Sequence, residues 1–243
     1  MPLSTADIVA QLQKEILALQ GFKKTANNRV LQTGLGALKQ AFPNKEFPLG
    51  AVHEFIAAGA EAAAATGGFV SSLLASLMGN DGASVWISKK RTIFPPALMS
   101  FGIAPEKVIF IELQKEKDQL WAMEEALKCE GLSAVIGEIP ELNFTASRRL
   151  QLAVEQSRVT GFILRNNPKL LNTTACVTRW KITPLPAALP DGMPGVGFPR
   201  WQVDLLKVRN GKPGSWDMEF SGGRLRQVSK LVAVYVQQQK KTG

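Results

Sequence analysis

The sequence predicts an α/β fold with a mostly parallel central sheet flanked by helices and antiparallel β additions at the C-terminal end. Three observations carry this. Five short apolar runs, Ala51–Ala57, Ala83–Ile87, Lys107–Glu112, Ala134–Ile139 and Val159–Leu164, alternate with segments of helical periodicity. The runs are close to continuously apolar, as strands covered on both faces are. The last third then changes to short β-rich segments broken by Pro and Gly.

Ser4 to Gln20 reads as a first helix. Ser4 and Asp7 make a plausible cap, Ile8, Leu12, Ile16 and Leu19 line one face, and Gly21 ends it. The polar stretch Lys23–Arg29 is expected to be a mobile linker, so residues 1–29 form an N-terminal appendage. Residues 30–230 are expected to form the α/β domain, with its basic, β-rich part beginning near residue 174. Between the apolar runs, helices are predicted over Gly68–Met78, around Pro96–Phe101, and over Lys117–Lys128 and Ala146–Ser157. Strands are predicted within Thr174–Thr183 and Arg200–Arg209. Trp216–Phe220 and Arg224–Val228 flank Ser221-Gly222-Gly223, a hairpin signal. Pro184 to Pro199 holds five prolines and three glycines and is expected to be an irregular loop. Residues 231–243 form a polar basic tail that includes Lys240 and Lys241.

At 243 residues the chain can bury a sizeable core. No apolar run is expected to reach the roughly 18–20 residues that span a bilayer. Asp7, Lys14 and Glu15 interrupt the N-terminal apolar pattern, so it does not read as a signal peptide. Cys129 and Cys176 form no metal-spaced pair and suggest reduced thiols in a cytoplasmic protein. The single histidine, His53, sits in a predicted buried strand and reads as a satisfied core residue. No metal site and no cofactor are expected. Charge is uneven: residues 1–164 hold 16 Lys/Arg and 16 Asp/Glu, whereas residues 165–243 hold 13 and 4. The excess of +9 therefore lies in the last third. Either it meets a polyanion or acidic protein surface, or it makes a basic, soluble subdomain.

Phe47 to Leu74 has the layout of a phosphate-binding strand, loop and helix without the residues that bind phosphate. Such a loop needs G-x-x-x-x-G-K-[ST], with glycines to let backbone N–H groups wrap the phosphates, a lysine, and a hydroxyl for magnesium. Ala65-Thr66-Gly67-Gly68-Phe69 is expected to occupy that turn. With Gly67 as the second motif glycine, Gly68 stands at the lysine position and Phe69 at the hydroxyl position. The first glycine is replaced by Ala62, unless Gly59 serves with an insertion. No G-K-[ST] tripeptide occurs in the chain.

Thr33-Gly34 with Leu38, followed by Phe47-Pro48-Leu49-Gly50-Ala51-Val52-His53-Glu54-Phe55, resembles the start of a RecA core, and the similarity continues to about Val228. Leu120-Trp121-Ala122-Met123-Glu124-Glu125-Ala126-Leu127 and Ser147-Arg148-Arg149-Leu150-Gln151-Leu152-Ala153 narrow it. The chain resembles the ImuA family, RecA-like accessory proteins of bacterial mutagenic translesion synthesis.

The resemblance implies a RecA-like core and allows its catalytic positions to be followed. Glu138 falls at the magnesium-side acid. The water-activating Glu falls where this chain reads Lys89-Lys90-Arg91, and a cation cannot take a proton from water there. The γ-phosphate-sensing Gln falls near Leu164-Arg165. ATP hydrolysis is therefore not expected. Lys89, Lys90 and Arg91 either hold a phosphate or DNA backbone across the cleft or form a solvated loop. Pro140–Thr145 and Arg165–Thr173 match the family's DNA-holding loops and look short for a comparable grip. Lys207, Arg209 and Lys212 offer phosphate contacts. Trp180 and Trp201 either stack on bases or pack in the core. The resemblance also implies partners: an ImuB-type Y-family polymerase homologue, an error-prone replicative-type polymerase subunit, RecA itself and DNA, with no membrane. A DNA-binding module, an ATPase with an unusual phosphate site and an inhibitor of cell division are the alternatives.

Overall fold

Strict alternation along each apolar run decides which residues face which layer, because successive side chains of a strand point to opposite faces. The computed structural model describes residues 35–187 and 197–228. The chain divides into two compact units, Met1–Val30 and Leu31–Gly243, and every described residue belongs to the second. The predicted N-terminal helix, the linker, Thr33-Gly34, the middle of the Pro/Gly connection and the tail with Lys240 and Lys241 lie outside the described residues.

The described residues form one nine-stranded sheet. Its strands are β1 (Val52–Ala57), β2 (Ala83–Ser88), β3 (Val108–Glu112), β4 (Leu132–Glu138), β5 (Thr160–Asn166), β6 (Thr178–Leu185), β7 (Arg200–Val208), β8 (Gly214–Ser221) and β9 (Arg224–Gln227). Their order is β3-β2-β4-β5-β1-β6-β7-β8-β9. The first six in that order are parallel and the rest antiparallel. The predicted class holds: β6 extends the parallel body, and the antiparallel part begins at β7. Pro184, read as part of the loop, lies in β6 opposite Trp201.

Among the described residues three α-helices cover the sheet: α1 (Ala60–Met78), α2 (Glu116–Leu127) and α3 (Phe144–Ser157). Phe55, Trp86, Ile136, Phe162 and Trp180 face α1, which adds Phe69, Val70, Leu73 and Leu74. Val52, Val85, Ile87, Val135 and Ile163 face the other way, onto Met123 and Leu127 of α2 and Leu150 and Val154 of α3. Asn143 caps α3 by accepting from the Ala146 N–H at 2.8 Å. The helix predicted around Pro96–Phe101 is a 3-10 helix, Pro95–Phe101, ended by Gly102 at φ 82°. Gly222 and Gly223 both take positive φ, as the tight β8–β9 turn requires. By length and composition α1 could cross a membrane, contrary to the expectation that no run is long enough, but more than half of it is buried inside the fold as a core helix.

His53 is a core residue, as read from the sequence. Its Nε2 lies 2.8 Å from the Pro48 carbonyl and its Nδ1 2.7 Å from Thr178 Oγ1. The carbonyl can only accept, so Nε2–H donates, and Nδ1 accepts a hydrogen bond from the Thr178 hydroxyl. Burial pulls the imidazole pKa down to about 3, against a smaller upward pull from the Pro48 carbonyl. The unfolded chain binds a proton on this ring near pH 6.5 and the folded chain does not. Stability contributed by the neutral ring is present above that pH and is lost as pH falls towards 3. His53 should therefore remove about 2 kcal/mol of stability between pH 7 and pH 5. Denaturant titration of the full chain and of His53→Gln at both pH values checks this: the variant should be less stable at pH 7 and lose less on acidification.

Candidate functional site

The connection from β1 to α1, where a phosphate-binding loop would stand, is two residues long. Strand β1 ends at Ala57, Ala58 and Gly59 follow, and α1 begins at Ala60. Gly59 is the helix N-cap at φ 84°, a conformation that favours glycine. Its N–H donates to Asn167 Oδ1 at 2.7 Å. Glu61 places a carboxylate in the first turn, which suits the helix dipole and opposes an incoming anion.

This corrects the expectation for Ala65-Thr66-Gly67-Gly68-Phe69. These residues form no turn; they lie well inside α1. The preceding alanines carry the strongest helix propensity and start the helix eight residues earlier than predicted. Phe69 is fully buried against Phe55 and the Trp180 and Trp201 rings. A Cβ on Gly68 would stand 3.1 Å from Trp201 Cζ2, so glycine here lets the tryptophan approach the helix. Trp201 itself is buried between Phe69 and Phe220. It is core, not a platform for bases, and Trp180 is likewise fully buried. Trp201→Ala should destabilise the fold by about 3–5 kcal/mol, as removal of a buried large aromatic does. Chemical denaturation measures it.

Over the C-terminal ends of β2, β4 and β5 lies a cleft of two adjoining lobes, each about 530 Å³. One lobe is apolar, with Ala63, Ala64, Gly67 and Gly68 of α1 facing Ile93, Phe94 and Phe101. The other is polar, lined by Lys89, Lys90, Gln114, Glu116 and Gln119. Thr92, Glu138, Leu164 and Asn166 border both. Glu138 is at the end of β4, as read from the sequence. Its Oε1 accepts from Trp86 Nε1 at 2.8 Å and from Thr92 Oγ1 at 3.1 Å. Burial raises its pKa, and those two donors offset part of the rise. Lys89 and Lys90 are exposed at the rim. Arg91 points elsewhere: it pairs with Glu112 at 3.1 Å and lies over the Phe110 ring. Among the described residues no group of three metal-ligating side chains occurs.

Beyond the cleft, a network passed over in the sequence reading organises the loop between β5 and β6. Glu54, in the middle of β1, is fully buried. Its carboxylate accepts from Arg165 Nη1 at 3.2 Å, from Arg179 Nε at 2.8 Å and from the Thr174 hydroxyl. Arg165, also fully buried, donates onward to the Pro140 carbonyl at 3.0 Å and the Leu170 carbonyl at 2.7 Å. Arg179 reaches the Asn172 carbonyl. Lys207 and Arg209, read as phosphate contacts, instead bind the carbonyls of Thr174 and Ala175 at 2.8 and 3.0 Å. Burial lowers the Lys207 pKa. The Lys212 side chain is exposed, and its backbone N–H donates to the Ala41 carbonyl. Cys176 closes the segment, its thiol pushed up to about 12 chiefly by burial, with the Glu54 carboxylate adding to it. A glutamate inside an apolar strand is the signal that could have exposed this network, because a buried carboxylate requires buried partners.

The chain is 34% identical over 202 residues to Protein ImuA of Caulobacter vibrioides strain NA1000 / CB15N, a match covering 78% of this chain and 83% of that relative. It matches Protein ImuA of strain ATCC 19089 / CIP 103742 / CB 15 to the same extent. This chain belongs to the ImuA family. A shorter match, 30% identical over 81 residues, joins a third of this ImuA-family chain to 46% of the cell division inhibitor SulA of Photorhabdus laumondii subsp. laumondii strain DSM 15139 / CIP 105565 / TT01. No family model matches.

Replacing one partner of a buried ion pair strands the others without countercharge. Glu54→Gln leaves Arg165 and Arg179 facing a neutral amide and should destabilise the fold by roughly 3–5 kcal/mol. Arg91→Ala, which breaks an exposed pair, should change stability by less than about 1 kcal/mol. Equal effects in denaturant titrations would contradict the assigned burial of Glu54.

Proposed function

We propose that this chain is a non-catalytic, RecA-like adaptor in damage-induced mutagenic translesion DNA synthesis. Its principal partner is an ImuB-type Y-family polymerase homologue, and the assembly includes an error-prone replicative-type polymerase subunit. RecA and DNA are further contacts, and the setting is the cytoplasm. Membership of the ImuA family supports the pathway. The observation that supports a non-catalytic role is the two-residue step from β1 into α1. It leaves no loop to wrap phosphates, and the residues at the motif positions are spent on packing α1 against Trp201.

The second reading is an unusual phosphate site, favoured by Lys89 and Lys90 at the rim of the polar lobe. A third is inhibition of cell division, favoured by the match to SulA. Filamentation on overexpression would point to it.

Two measurements on the purified full chain separate these readings. Calorimetric titration with magnesium–ATP should give no saturable binding, and phosphate release should stay at background. Co-expression with the Y-family polymerase homologue should give a complex that survives nuclease treatment and co-elutes in size exclusion. Turnover that disappears in Lys90→Ala, or loss of the complex on nuclease treatment, would overturn the adaptor reading.

A further inference from the structure

The cleft over the ends of β2, β4 and β5 holds more hydrogen-bond acceptors than the fold uses. Gln119 is 1% exposed and lines the polar lobe. Its Nε2 donates to the Leu113 carbonyl at 2.7 Å, which fixes the amide and leaves Oε1 with no donor. Asn166, at the end of β5, borders both lobes, and its buried Oδ1 also has no donor. Glu138 stands between the lobes. Its Oε1 takes the Trp86 N–H, whereas Oε2 receives only a long branch of the Thr92 hydroxyl bond, at 3.3 Å. A carboxylate can accept about four such bonds. Buried acceptors left unpaired cost stability. Three residues that line one lobe carry this deficit together.

The donors nearby are spent. Trp86 and Thr92 serve Glu138, and Gln114 Nε2 serves the Lys89 carbonyl. Lys89 and Lys90 are exposed at the rim. The floor therefore suits a ligand that donates hydrogen bonds and opposes an anion. The apolar lobe beside it is held open by a glycine that the packing of the protein does not require. Gly67 lies inside α1, where glycine weakens a helix. A Cβ added there would meet only Ile93 Cδ1, at 3.9 Å. Gly68 differs, since a Cβ on it would crowd Trp201. Ile93, Phe94 and Phe101 line the same lobe as Gly67, and Phe94 is 69% exposed. Gly67 thus leaves a slot beside apolar side chains, joined to the acceptors through Thr92, Glu138, Leu164 and Asn166.

We propose that this cleft binds a small amphipathic amine or amidine. Its cationic N–H head meets Glu138, Asn166 and Gln119, and its apolar body lies in the slot beside Gly67. A volume of about 530 Å³ in each lobe is in the range of small-molecule sites. The proposal goes beyond the adaptor reading and does not rest on it. It opposes the phosphate reading of Lys89 and Lys90.

Ligand-observed NMR titration of the full chain tests this. The probes are benzamidine and phenethylamine, their anionic counterparts benzoate and 3-phenylpropanoate, and pyrophosphate. Both cations should bind saturably, with dissociation constants on the order of 1 mM or tighter, and the anions should not bind. Glu138→Gln keeps the shape of the side chain and an acceptor for Trp86. It should weaken both cations at least about tenfold, the scale of a hydrogen bond to a charged group. Gly67→Leu fills the slot and should abolish binding while melting at or above the wild-type temperature, so that lost binding is not lost folding. Amines that fail to bind the wild type, or that bind either variant as they bind the wild type, would overturn the proposal. So would saturable binding of benzoate or pyrophosphate in place of the amines. A Gly67→Leu chain that melts well below the wild type would contradict the free space assigned beside Gly67.

Discussion

A carboxylate buried at the centre of the sheet governs what the fold can present at its C-terminal edge. Glu54 sits on β1 with β5 on one side and β6 on the other. Each neighbour supplies one arginine to it. A charge this deep survives only when its lone pairs are filled, and two guanidiniums with the Thr174 hydroxyl fill them. The arginines then have donors to spare. Those donors turn to the carbonyls of Pro140, Leu170 and Asn172, so a charge-balancing requirement inside the sheet becomes a framework for two loops outside it. Lys207 and Arg209 extend the framework from β7. The basic last third of the chain is thus partly inward-looking, with several cations answering backbone carbonyls before they answer any partner.

At the same edge the start of α1 stands close to the end of β1. A phosphate cradle keeps backbone N–H groups exposed and a helix start withdrawn from the strand. Here alanine-rich sequence brings the helix up to the strand after two residues, and glycine inside the helix admits Trp201. The resulting groove is walled by small apolar side chains, and its acid, Glu138, hydrogen-bonds Trp86 and Thr92. The helix start and Gly68 serve the packing of α1 on the sheet.

Much of the architecture was legible because it rests on local pattern. Apolar runs located β1 to β5 within a residue or two, and Ser221-Gly222-Gly223 located the last hairpin. His53 falls in a buried strand and Glu138 at a strand end, where the local pattern puts them. The start of α1 was not, since Ala and Gly are ambiguous between a loop of small residues and a helix, and only packing beneath Trp201 decides it. Lys207 and Arg209 misled for a different reason. Their acceptors lie 33 and 34 residues away, and Glu54 meets Arg165 across 111. Pairings of that range follow from strand order, which no local window contains. The fixing of the loop was invisible for the same reason: Arg165–Thr173 reads as a short counterpart of a DNA-holding loop, and its contacts with Glu141 and, just beyond it, with Ser147 follow from the fold.

The loop between β5 and β6 is a preorganised part of the fold and not a mobile connection. Amide hydrogen exchange of the full chain, resolved at Lys169 and Ala175, tests it most directly. Both N–H groups donate to side-chain oxygens in the structure, so both should exchange far more slowly than free loop amides and open only with the surrounding sheet. Exchange at the rate of an unstructured peptide would mean that the buried cations do not hold this loop, and the account built on them would fail.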